Sequence, residues 1–220
     1  MENLLVSAFD FAGIFKTVVS RWYYYVALAV FIILLAVFFF IKKQPARNNL
    51  SKTQRITYVA VLTALCTVAN VFDIKISDEF QISLVATVGL VSGYLLGGGL
   101  GFAVCFTGDL LGAIVNPHGP YNPIIGIGTG LWGLIPGIAF SFFKGNRYVK
   151  TVISFVIGFI LISAGVNVFG FCLMYPTYYT LEILLPTLPL KLAVVAVNCA
   201  VSIGLIAVLP RILPKDKFNF

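Results

Sequence analysis

The sequence predicts an all-α, polytopic membrane protein, a six-helix bundle with one extra N-terminal transmembrane helix. Three observations lead there. Long apolar runs follow one another without the polar alternation that a membrane β-barrel needs on its strands. Of the 220 residues, 60% are apolar and only 10% charged, with a mean hydropathy of +1.00, whereas soluble domains carry about 25% charged residues. The charges themselves sit in short clusters between the runs, so the net charge of +7 reads as a membrane-topology signal rather than as the footprint of a nucleic-acid partner. A chain this apolar is neither disordered nor low in complexity, and four cysteines without framework spacing exclude a disulfide scaffold.

The elements follow in order. Residues 1–21 place Leu4, Leu5, Ala8, Ala12, Phe15 and Val19 on one helical face and Asn3, Ser7, Asp10 and Thr17 on the other, the pattern of an amphipathic helix lying on a membrane surface. Trp22–Ile41 has twenty residues without a charge, enough to cross ~30 Å of hydrocarbon. Lacking a basic start and a small-residue cleavage site, it reads as an anchor rather than a signal peptide. The boundary in composition is the linker 42–56, with Lys42, Lys43, Arg47, Lys52 and Arg55 and no acid. The division expected is therefore 1–41, an amphipathic segment and extra helix; 42–56, a basic linker; and 57–220, a membrane core. The core spans are expected at Thr57–Phe72, Ile82–Leu96, Gly101–Val115, Ile124–Phe143, Tyr148–Phe171 and Thr187–Leu209. The shorter ones need shielding from lipid at their ends, where loops fold back into the protein.

Charge asymmetry orients this arrangement. The linker, Lys144, Arg147 and Lys150, and the tail with Arg211, Lys215 and Lys217 fall on one side. Asp73, Asp78, Glu79 and Glu182 fall on the other, against Lys75 alone. The positive side is cytoplasmic. The expectation is a multi-pass cell-membrane protein with its C-terminus inside and, because of the extra helix, its N-terminus outside.

Small residues mark where membrane helices approach each other. Gly101, Cys105, Gly108 and Gly112 form one stripe, and Gly126, Gly130, Gly133 and Gly137 another; both suit internal packing. Ala60 and Ala64 suit either packing or docking on another membrane subunit.

Apart from Lys150 at the very start of the fifth span, two charged residues fall inside the expected spans, Asp109 and Lys191. Burial of such a group costs on the order of 2.5–3.5 kcal/mol on insertion scales, so each calls for a partner, a cavity or an interface. The loop Asn116-Pro-His-Gly-Pro-Tyr-Asn-Pro123 is stiffened by three prolines and follows directly on the Asp109 helix. With His118, Tyr121 and Asn122 it makes a polar cover suited to small-molecule capture. Trp132, Asn167 and Asn198 add polar or stacking groups within apolar helices. The lone histidine has no cysteine at ligand spacing, so no metal or other cofactor is expected. Nucleotide-binding and hydrolase motifs are absent, and the chain is expected not to be an enzyme.

The stretch Gly108-Asp-Leu-Leu-Gly-Ala-Ile-Val-Asn-Pro-His-Gly-Pro-Tyr-Asn-Pro123 resembles the folate family of substrate-binding (S) components of energy-coupling factor (ECF) transporters, which read Gly-Asp-Leu-x-Gly-Ala followed by Pro-x-Gly-Pro-Tyr-Phe-Pro. Ala60-Val-Leu-Thr-Ala64 is similar to their Ala-x-x-x-Ala docking motif, and Asn167-Val-Phe-Gly and Leu188-Pro-Leu-Lys191 to their Asn-Thr-Leu-Trp and Pro-x-Arg stretches. The likeness covers about residues 55–210. Asn122 stands in place of Phe and Lys191 in place of Arg, and no basic residue occupies the end of the first core helix. The resemblance implies an S-component bundle that captures a folate-like vitamin or related small heterocycle from outside. Delivery would come through ATP-driven tilting on a transmembrane coupling subunit and two ATPase subunits. The residues expected near ligand are Asp109, His118, Tyr121, Asn122, Trp132, Asn167 and Lys191, with Ala60 and Ala64 for docking. The alternative is a membrane scaffold or sensor subunit that transports nothing.

Overall fold

A computed structural model describes residues 50–77, 80–117, 121–175 and 178–213. The amphipathic segment, the extra helix at 22–41 and most of the basic linker lie outside the described residues, as does His118. The described chain is a bundle of six helices, α1 Lys52–Val71, α2 Val85–Leu96, α3 Gly98–Val115, α4 Pro123–Phe142, α5 Arg147–Met174 and α6 Leu181–Ile212. Five are long and apolar enough to cross a membrane, and α2 is the shorter sixth.

Helix α1 begins five residues before its expected start. Ser51 and Gln54 form a reciprocal capping box, each side chain accepting from the other's backbone N–H, and this satisfies two of the otherwise orphaned donors of the first turn. The cap pulls Lys52 and Arg55 out of the linker and into the helix. At its other end the chain turns into a two-stranded antiparallel hairpin, β1 Ile74–Ser77 and β2 Phe80–Ile82, pairing Ile74 with Ile82. The second span therefore starts at Val85 rather than at Ile82. With 12 residues, α2 is about 18 Å long, too short to cross alone. Eight of its residues are buried, so protein rather than lipid surrounds it.

A single residue, Gly97, joins α2 to α3 with φ +85°, a conformation in which a side chain would clash with the backbone. The resulting hairpin of helices is clamped against α4 by glycines. A Cβ on Gly93 or Gly133 would enter the backbone of a facing helix, and one on Gly130 would strike the ring of Phe102. Helix α4 is the hub, with most of its residues buried. Helix α1 is peripheral, with few of its own buried; its seam is Gly108, set against Cys66, and Gly112, set against Asn70. The glycine stripes expected for internal packing thus do that on α3 and α4, while Ala60 and Ala64 face outward, exposed. Helix α6 packs against α2 and α5. Its Asn198, buried in the seam, accepts from the Thr87 hydroxyl at 2.7 Å and donates to the carbonyls of Ser83 (2.9 Å) and Val194 (3.0 Å).

Within α5, Phe159–Val166 is π-helical. This widened turn lies directly before Asn167, and such insertions re-aim side chains around functional cavities.

Candidate functional site

Asp109 sits near the cavity end of α3 and gathers donors from three other elements. Asn70 on α1 donates its amide to Oδ1 at 2.9 Å, and Thr129 on α4 donates its hydroxyl to the same oxygen at 3.1 Å. Tyr121, from the loop ahead of α4, donates its phenol to Oδ2 at 3.1 Å. The Thr129 hydroxyl also lies 3.2 Å from the Ile125 carbonyl, so its one proton is shared between two acceptors. Thr107, a neighbour in sequence, turns away and bonds the Ala103 carbonyl. A carboxylate accepts about four hydrogen bonds; Oδ2 of Asp109 keeps room for a further donor. Burial, and then the adjacent Asp109 carboxylate, push the Tyr121 phenol above its ordinary pKa, so it remains a donor. Gly126 makes the approach possible, because a Cβ there would collide with the Tyr121 hydroxyl.

These groups line a cavity of about 320 Å³, within the usual range for a small-molecule pocket, ~300–1,000 Å³. It lies at the end of the bundle where α1, α3 and α5 finish and α2, α4 and α6 begin. Asn70, Asp73, Ser83 and Asn116 border it on the side of α1 and α2; Ser163, Asn167, Phe171 and Tyr175 come from α5, and Lys191 from α6. Trp132 also lines it, nine residues along α4 from Pro123, or roughly 14 Å of helix. The hollow therefore reaches toward the middle of the bundle. Trp132 is held there by Phe155, at 5.6 Å between ring centroids, and by Gly89 and Gly158, which admit its ring and backbone.

The structure brings Asp109, Tyr121, Asn122, Trp132, Asn167 and Lys191 to this one cavity. Their present engagements differ. Asn122 caps α4 by accepting from the Ile124 and Ile125 N–H groups, and its amide donates to the Gly170 carbonyl at 3.1 Å; its polar atoms are occupied by the fold. Asn167 is the reverse. Its Oδ1 is buried and has no hydrogen-bond partner among the described residues. Gly128 lies beside that oxygen, and a Cβ there would stand 2.8 Å from it. The Lys191 ammonium lies 5.9 Å from the Phe171 ring centroid, within the reach of a cation–π contact.

Asn70, Asp73, Ser83 and Thr129 line the cavity without having been among the residues expected near ligand. Asn70 carried a signal, an amide in the last turn of an apolar helix facing the same end as the proline-rich loop. Thr129 carried none, since a threonine hydroxyl in a membrane helix satisfies itself on the carbonyl four residues back. Among the described residues no group of three His, Cys, Asp or Glu side chains could hold a metal ion.

A helical membrane bundle with a solute-sized polar cavity at one end has the form of a membrane solute-binding protein. Its family model is that of the ECF transporter, substrate-specific component, which matches residues 54–214. The chain belongs to that family and is a multi-pass membrane protein. Among solved structures, a crystal structure of FolT bound with folic acid superposes with a TM-score of 0.59 at 18% identity, covering 71% of this chain and 94% of that one. This likeness gives the S-component fold. No curated protein sequence matches.

Proposed function

We propose that this chain captures a folate-like vitamin or related small heterocycle from outside the cell. A transmembrane coupling subunit and two ATPase subunits then drive the tilting that delivers it inward. The observation that carries this reading is the position of the cavity. It opens at the end of the bundle bearing residues 73–84, 116–122 and 175–190, opposite the end bearing Lys52, Arg55, Lys144, Arg147, Lys150 and Arg211. With the positive end cytoplasmic, the cavity faces outward.

The chemistry of the lining fits an amino-substituted heterocycle. The unused acceptor capacity of Asp109 and the unpartnered Asn167 oxygen both meet N–H donors. Trp132, Phe171 and Tyr175 offer ring faces, and Lys191 meets a carboxylate at the far end of the ligand. Docking falls to the outward face of α1, where Ala60 and Ala64 allow another helix to approach closely. FolT bound with folic acid shares the fold, which supports a ligand of that class.

The test is reconstitution. The chain is co-expressed with ECF coupling and ATPase subunits, purified as a complex and placed in liposomes. ATP-dependent accumulation of a labelled folate-type compound is the expected result. A chain that never copurifies with those subunits, or a complex that accumulates no such compound, refutes the proposal.

A further inference from the structure

The charges around the cavity restrict its ligand further. Among the described residues lining it, Lys191 is the only lysine or arginine, and Asp73 and Asp109 are the carboxylates. Leaving Asp109 aside, the remaining two sum to zero; including it, the lining is net negative. The connections at this end of the bundle add Asp78, Glu79 and Glu182 in sequence against Lys75. Every donor that Asp109 receives from the protein is neutral: an amide, a hydroxyl and a phenol. None of these donors is an arginine or a lysine.

Like charges brought together in a confined, poorly solvated space repel far more strongly than in water. A buried carboxylate without a partner carries a heavy desolvation cost. Lys191 can match one ligand carboxylate. A second has no cation to meet among the described residues of the lining, an arrangement that selects against it.

We infer that this site takes a neutral or singly anionic amino-substituted heterocycle and discriminates against a ligand with two carboxylates. The inference rests on the heterocycle reading proposed above and narrows it. The full-length protein, purified in detergent, is titrated by calorimetry with pteroic acid (one carboxylate), folic acid (two) and the bis-amide of folic acid, which keeps the size and shape of folic acid without its tail charges.

Pteroic acid and the bis-amide are expected to bind at least tenfold tighter than folic acid, and added salt should narrow the gap. Lys191→Gln should weaken pteroic acid by a larger factor than it weakens the bis-amide. Folic acid binding as tightly as its bis-amide overturns the charge argument, even if all three bind. Failure of all three to bind overturns the heterocycle reading and this inference with it.

Discussion

The Asn70 amide donates to Asp109 Oδ1 at 2.9 Å across 39 residues of sequence, and this bond ties the peripheral helix α1 to the floor of the cavity. Two further ties act at the same end of α1. The Ser83 hydroxyl donates to the Ala69 carbonyl at 3.0 Å, and the Asn116 amide to the Val71 carbonyl at 3.3 Å. Asn70, Ser83, Asn116 and Asp109 all line the cavity. The helix with the least buried surface is thus positioned by the same groups that a bound solute would touch. The outward face of that helix carries Ala60 and Ala64.

Replacing both alanines by tryptophan tests the docking face. Each is exposed, so Ala60→Trp with Ala64→Trp leaves the cavity lining untouched. Ligand affinity should stay within about twofold by calorimetry, while uptake by the reconstituted complex falls to background. Uptake at the wild-type rate would remove α1 as the docking helix.

Gly108 sets the distance between α1 and α3. A Cβ there would stand 2.6 Å from the Cys66 Cβ, closer than atoms pack. Gly108→Val should therefore lower stability by about 1–3 kcal/mol through overpacking, read as a fall in the thermal midpoint in detergent. It should also weaken ligand binding by displacing Asn70. An unchanged midpoint would mean that α1 is not seated on this seam.

Asn198 joins α6 to α2 at the wall of the cavity and has Thr87, Ser83 and Val194 as partners. Asn198→Leu keeps the volume but removes the donor to the Ser83 carbonyl and leaves the Thr87 hydroxyl only the residue-198 backbone carbonyl, at 3.3 Å. A loss of about 1–3 kcal/mol is expected for the stranded buried groups, with Lys191 shifted on the same helix. Thermal unfolding with and without ligand separates the two effects.

The spans were legible because bilayer thickness imposes a length and a composition that any reader of hydropathy can find. The boundaries that moved did so for local reasons outside that signal. The Ser51–Gln54 box extended α1. The alternation Ile74-Lys75-Ile76-Ser77 made a strand where the span pattern had only a loop; its period of two was present in the sequence. Asp109 and Lys191 stood out because charge in an apolar run is rare. Their neighbours Asn70 and Thr129 did not, because their roles arise only when α1, α3 and α4 meet. The π-helical turn before Asn167 has no sequence signature at all; in the fold it packs against α4. Asn122, expected at the ligand, lines the cavity but uses its polar atoms to start α4.

The most direct measurement is the affinity of purified Asp109→Ala for pteroic acid beside that of the wild-type protein, both monodisperse in detergent. The substitution removes the acceptor for a ligand N–H and releases Asn70 and Tyr121, losses of charge-assisted hydrogen bonds worth about 1.5–3 kcal/mol each. A fall in affinity of at least a hundredfold, with expression unchanged, is the predicted result. Wild-type affinity in the folded variant would contradict the claim that this cavity captures its solute around Asp109.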